Sequence, residues 1–259
     1  MTGRPRFNFS HRFTGVVWNT VAMPESSILL LEIRDHQQKS VSFSALHYQE
    51  NKFLWRDFRL EESWWVNLAA ASGDVVLFTI YLETQNPDKK GILAYGLSDQ
   101  KLRWWNNDFS LTSVERDRVT GFSSRFGAKK IALDLHSGQE VPVTPDASEP
   151  GVHALIRPVQ YAEGTPHYET VKTFLSQKLT LLPVRALEYL EYESLIMISY
   201  YISHEGLANY LLVMDKNGNV LLHEKLGEQL KGIGLDTFFM LSGCLFFVKN
   251  SEELVSYFL

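Results

Sequence analysis

The chain has 259 residues, 45% apolar and 21% charged, which excludes disorder over its whole length and leaves room for one large domain or two small ones. With 30 acidic against 25 basic residues the net charge is −5, and no basic block stands out to attract a phosphate backbone, so nucleic acid is not an expected partner. Aromatic residues reach 13%, a composition that favours strands and excludes a coiled coil built on Ala, Leu, Glu and Lys heptads.

At the N-terminus, Phe7, Phe9 and Phe13 fall on one face at period two with His11 between them, which predicts an edge strand over residues 6–13. Apolar strands are then predicted over 16–22 and 28–33, followed by a strand, polar turn and strand from Ala45 to Trp55. The same order recurs: 64–71 and 75–82, then Ala94 to Trp104. Both hairpins place a small residue ten positions before a tryptophan. A third copy runs from Ala132 to Pro142, preceded by a weaker strand at 119–123, and a fourth from Leu211 to Leu222, preceded by strands at 187–192 and 195–202. Asn217-Gly218 predicts a type I′ hairpin tip, and Ser137-Gly138 is a weaker form of that signal. Strands at 237–241, 244–249 and 254–258 end the chain one strand short of a fourth, which residues 6–13 are expected to supply.

Repeats of about 40–50 residues with four antiparallel strands have the arithmetic of a propeller blade. The expected fold is therefore all-β, a single propeller-like domain over 1–259 with about five four-stranded blades and six as the alternative. Six of the 9 prolines fall between 142 and 183 and predict an irregular, helical insertion over 143–183. Within it Thr165 is placed to cap a helix that Pro166 starts, with Tyr168, Val171, Phe174, Leu175, Lys178 and Leu179 at helical spacing. Residues 152–161 leave open the remnant of a further blade.

At the third copy, Ala132-Leu133-Asp134-x-x-Ser137-Gly138 resembles the repeat of quinoprotein-type β-propellers, Ala-x-Asp-x-x-Thr-Gly-x-x-x-Trp. His47 and Gly96 stand where the aspartate would be in two other copies, and Pro142 replaces one tryptophan. The whole chain also resembles uncharacterised bacterial propeller-like proteins typical of the Bacteroidetes, through residues 161–170 (YAEGTPHYET) and 231–239 (KGIGLDTFF). The first resemblance implies a blade repeat; the second implies no reaction, because that family has no known function.

Signatures of chemistry are sparse. The 8 histidines include no pair at i, i+4 spacing, and one cysteine cannot build a thiolate cage, so no metal is expected. Cys244 lies in an apolar run and is read as a buried thiol. Asp215-x-Asn217-x-Asn219 departs from a calcium loop, with Gly218 at the fourth position and Leu226 where a bidentate Glu is needed. Lys231-Gly232-Ile233-Gly234 lacks the context of a phosphate loop, and no Gly-x-Ser-x-Gly elbow occurs, Gly121-Phe122-Ser123-Ser124 being no substitute. Glu61, Glu62, Glu188, Glu191 and Glu193 are the acids from which a hydrolase pair could be drawn, although the pattern over 187–192 points instead toward the solvated side of a strand.

The candidate binding residues are the tryptophan pairs Trp64, Trp65, Trp104 and Trp105. In a strand, neighbours point to opposite faces, so one ring of each pair should enter the packing between blades while the other faces a different environment; inter-blade packing of both rings is one reading, and an aromatic platform for a sugar or a partner protein is the other. Three functions follow. The leading one is a non-enzymatic binding or scaffold protein that holds a protein partner. The second is a carbohydrate-active or other hydrolase with acidic residues at a channel mouth. The third is a quinone-dependent oxidoreductase. No cofactor and no membrane contact are expected, and a cytoplasmic monomer is, since neither a signal-peptide stretch nor a run of about 20 apolar residues is found.

Overall fold

The structure is a computed structural model that describes residues 4–83, 85–123, 129–143, 155–203 and 205–259. The chain divides into two compact units, Thr14–Val152 and, together, Met1–Phe13 with His153–Leu259. The first strand, β1 (Arg6–Arg12), belongs to the second of these.

The Thr14–Val152 unit holds three sheets in chain order: β2 (Val16–Met23), β3 (Ile28–Asp35), β4 (Ser40–His47) and β5 (Lys52–Phe58); β6 (Val66–Ser72), β7 (Val75–Tyr81), β8 (Lys90–Gly96) and β9 (Leu102–Asn106); β10 (Ser110–Glu115), β11 (Arg118–Ser123), β12 (Lys129–Asp134) and β13 (Glu140–Val141). Each is an antiparallel meander in which neighbours along the chain are neighbours in the sheet. That is the build of a propeller blade. The middle strands are apolar on both faces, as in Ile28–Asp35 (ILLLEIRD), whose residues 28–34 are all buried.

The second unit continues with β14 (Leu155–Ile156), β15 (Val159–Ala162), helix α1 (Pro166–Leu179), β16 (Ala186–Tyr192), β17 (Leu195–Ser203), β18 (Leu207–Asp215) and β19 (Val220–Leu230). Last come β20 (Phe238–Leu241), β21 (Cys244–Lys249) and β22 (Glu253–Phe258). Two five-stranded sheets result, β15-β16-β17-β18-β19 and β1-β22-β21-β20-β14. The fold is thus all-β and propeller-like, with, among the described residues, five antiparallel sheets of four or five strands and one α-helix. Residues 155–162 of the predicted insertion are not a further blade. They lend one short strand to each of the last two sheets, while 144–154 lie outside the described residues. Thr165 caps α1 through its side chain with Pro166 at the first turn, and Tyr168 and Leu175 bury the helix against Leu187, Ile198 and Leu212.

The N-terminal strand does supply the missing edge: β1 pairs with β22. A bulge between Phe7 and Phe9 breaks the expected period. Phe9 and Phe13 are buried, whereas Phe7 is turned out and 56% exposed.

The repeat is visible in the packing. Ala45 sits opposite Trp55, and Ala94 opposite Trp104. Each tryptophan reaches the following sheet: the Trp55 indole N–H donates to the Leu97 carbonyl at 2.7 Å, and that of Trp104 to the Leu135 carbonyl at 2.8 Å. Leu97 and Leu135 stand three residues after Ala94 and Ala132. In the third copy Val141, not Pro142, faces Ala132.

The hairpin tips differ from the expectation. Gly218 has φ +80°, but Asn217 has no positive φ, so the tip is not type I′. Instead the Asp215 carboxylate accepts the N–H groups of Asn217 and Asn219 at 2.9 and 2.8 Å, and the Asp215 carbonyl accepts that of Gly218. Asp134 does the same for His136 and Ser137, and Gly138 then turns at φ +69°. An aspartate side chain that mimics a turn needs a single left-handed glycine, where type I′ needs two left-handed residues. Strand β10 was not foreseen because its sequence, SLTSVE, has only two large apolar residues.

Candidate functional site

The four tryptophans do not form one platform. Trp104 is 7% exposed and belongs to the core between the second and third sheets, with Val75, Ile92 and Leu133. Trp105, its neighbour on β9, faces the other way and is 61% exposed, as strand alternation requires. Trp64 and Trp65 precede β6 and are not in a strand, so alternation does not govern them. Their turn is set by Glu62, whose carboxylate accepts both of their backbone N–H groups at 2.8 and 2.9 Å. Trp64 is half-buried, its ring stacked on the Arg34 guanidinium at 5.1 Å, and Trp65 is 43% exposed.

What gathers around Trp105 is a groove of about 500 Å³ within the Thr14–Val152 unit. Leu93 lies directly opposite Trp105, and Tyr95 opposite Leu102, so one face of the β8-β9 hairpin carries all four. The β5-β6 connection adds Leu60, Glu61 and Glu62. Leu60, Leu93 and Tyr95 rest on the core below, while Leu102 and Trp105 stay uncovered because β9 is the outer strand of its sheet. Glu62 is committed to its turn. Glu61 is exposed and has no cation within ion-pair distance among the described residues, and burial, with the Glu61 carboxylate beside it, pushes the Tyr95 hydroxyl pKa up. Among the described residues the groove is therefore apolar and aromatic, with one unpaired negative charge at its rim.

Two buried carboxylates escaped the sequence reading. Glu32 is fully buried on β3; it accepts the Leu68 N–H at 2.7 Å and the Arg34 Nε–H at 2.6 Å. Arg34 in turn donates to the carbonyls of Trp64 and Val66. In this way the edge of β6 that has no strand partner is satisfied by side chains of the preceding sheet. Glu188, expected on a solvated face, is fully buried. Its carboxylate accepts the backbone N–H groups of Asp236 and Thr237 and the Thr237 hydroxyl, so it secures the segment that enters β20. Burial pushes both pKa values up, against the pull of these hydrogen bonds. The signal in sequence was a glutamate flanked on both sides by apolar or aromatic residues within a strand, Glu32 in ILLLEIRD and Glu188 in ALEYLEY.

Cys244 is buried, and burial raises the pKa of its thiol. Among the described residues no three His, Cys, Asp or Glu side chains converge as a metal group would. No helix among them is long and apolar enough to cross a membrane.

A protein-family profile described as a domain of unknown function, DUF4905, matches residues 22–104, less than half of the chain. No curated protein matches. Among solved structures the chain is similar to BamB from Moraxella catarrhalis, with a TM-score of 0.38 at 10% identity over 94% of this chain and 85% of that one. It is also similar to the β-propeller domain of the Trilobed protease from Pyrococcus furiosus, with a TM-score of 0.33 at 9% identity over 95% of this chain and 65% of that one. Similarity at this level carries neither an activity nor a partner over to this chain.

Proposed function

We propose that the protein is a non-catalytic binding protein whose Trp105 groove holds a segment of a protein partner. The observation that carries this reading is a large aromatic ring, 61% exposed, set beside Leu102 and Tyr95 and next to the unpaired carboxylate of Glu61. Exposed tryptophan with a nearby pocket is the composition of a binding hot spot. The charge fixes the chemistry of the occupant: an apolar side chain for the groove and an adjacent Lys or Arg for Glu61, the cation also able to lie over the Trp105 face.

The residues that resemble the quinoprotein repeat are accounted for by packing, since Asp134 shapes a turn and Gly138 fits under the Trp104 ring. The acids of the groove support a hydrolase poorly, because Glu62 is held by two backbone N–H groups and, among the described residues, Glu61 alone has no such partner. The test is an array of random peptides probed with the wild-type chain and with Trp105→Ser and Glu61→Lys. The expected result is a bound set enriched in Lys or Arg next to an aromatic or branched residue, lost in both variants. A set that survives both substitutions, or no enrichment at all, refutes the proposal.

A further inference from the structure

A second cavity of about 420 Å³ lies in the same unit, bounded by β2, β3, β6, β7 and the start of β8 and β10. Its volume falls in the range of about 300–1,000 Å³ that small-molecule sites occupy. Its chemistry differs from that of the Trp105 groove. The one carboxylate in its wall, Glu32, has both oxygens taken by Arg34 and the Leu68 N–H, and Arg34 is spent on Glu32 and on the edge of β6. That pair contributes no net charge. Lys90 also faces the cavity and has no carboxylate within ion-pair distance among the described residues; its ammonium stands 5.4 Å from the centre of the Tyr81 ring.

The remaining wall is rich in donors. Asn67 donates its amide N–H to the Tyr81 hydroxyl at 3.1 Å, which leaves the Tyr81 proton free to donate elsewhere. The hydroxyls of Thr79 and Ser110 hold no hydrogen bond among the described residues. At the rim Trp18 is 58% exposed, with its ring steadied by Arg34 at 5.6 Å and by the edge of His36. Among the described residues, one cation without an ion-pair partner, three hydroxyls and the face of an indole thus converge on a space that holds a single small ring.

From this arrangement we propose that the cavity binds a small hydroxylated carboxylate of the sugar-acid class. The carboxylate pairs with Lys90 and the Tyr81 hydroxyl, the ligand hydroxyls meet Thr79 and Ser110, and the C–H face of the ring lies on Trp18, where the electron-rich indole face is the complementary surface. A doubly charged phosphate fits less well, since among the described residues the wall offers one unpaired cation and no fork of Arg or cluster of backbone N–H groups aimed at the space.

The test is titration calorimetry of the full chain with D-glucuronate, D-glucose and inorganic phosphate. D-glucuronate is expected to bind saturably, with D-glucose and phosphate each weaker by at least about tenfold. Lys90→Gln is expected to weaken D-glucuronate by at least about tenfold, with Lys90→Arg restoring most of it and Trp105→Ser leaving it unchanged. Tyr81→Phe provides a second variant should Lys90→Gln fail to fold, and it too should weaken binding. Absence of saturable D-glucuronate binding up to about 20 mM overturns the proposal. So does equal affinity for D-glucose or phosphate, or D-glucuronate affinity that survives both Lys90→Gln and Tyr81→Phe. The Trp105→Ser arm separates the two sites, so failure here leaves the groove standing.

Discussion

Replacing Trp104 by alanine removes a side chain that is 7% exposed and donates to the Leu135 carbonyl at 2.8 Å. Such a side chain hides on the order of 200 Å² from water. At roughly 25 cal/mol per Å² that is about 5 kcal/mol, an upper figure because the unfolded chain already covers part of its surface. Tryptophan truncations in cores cost about 3–5 kcal/mol, and the Leu135 carbonyl left without its donor adds about 1 kcal/mol. The expected loss is therefore about 4–6 kcal/mol. Trp105, one residue on, is 61% exposed and donates no indole hydrogen bond among the described residues. About two-fifths of its surface is hidden, so by the same coefficient Trp105→Ala is expected to cost only about 2 kcal/mol. Urea unfolding followed by far-UV circular dichroism compares the two without relying on the fluorescence that the substitutions themselves change. Losses within about 0.5 kcal/mol of each other, or a larger loss at Trp105, would refute the division of this pair into core and surface.

Gly138 turns at φ +69° with the place of a Cβ only 2.6 Å from Trp104 Cδ2, so Gly138→Ala should cost about 3 kcal/mol through strain and displacement of that ring. Gly218→Ala, at φ +80° with nothing nearer than Lys178 Nζ at 3.8 Å, should cost only about 1 kcal/mol; equal urea midpoints would contradict this. Deleting residues 1–13 uncovers the edge of β22 and should lower the melting temperature markedly, and Phe9→Ala should account for much of that loss while Phe7→Ala does little. The His223 ring lies 2.7 Å from the Tyr200 hydroxyl, and burial lowers its pKa below the ordinary 6.5. The unfolded chain therefore takes up the proton first as pH falls. Stability from this site is complete above about pH 6.5 and is lost as pH drops through the lower folded value, so His223→Gln should flatten the urea midpoint between about pH 7 and pH 5.

The repeat was legible because the first two sheets solve the same packing problem with the same residue types. Ala45 opposite Trp55 and Ala94 opposite Trp104 leave a small residue beneath a large one, a pattern that survives as a spacing of ten. The N-terminal edge strand was legible for the same reason, but its bulge was not, since Phe7 and Phe9 carry no mark of the extra residue. Non-local satisfaction was hidden as well. Glu188 reads as surface charge by alternation, yet its partners lie at Asp236 and Thr237, and only the fold brings them within reach. Half of the proposed site was visible in the tryptophan pairs. The other half, Glu61 from the connection before β6 and Leu102 and Tyr95 from the neighbouring hairpin, exists only once β8 and β9 are paired.

Site-specific photo-crosslinking in the native cell tests the binding reading most directly, with a benzophenone amino acid placed at position 105 and, as a control, at Leu182, which is 66% exposed in the other unit. The account predicts one dominant protein adduct from position 105, mapped to a segment that carries Lys or Arg beside an apolar residue and abolished by Glu61→Lys. Adducts formed equally from position 182, a mapped segment without a cation, or indifference to Glu61→Lys would contradict it.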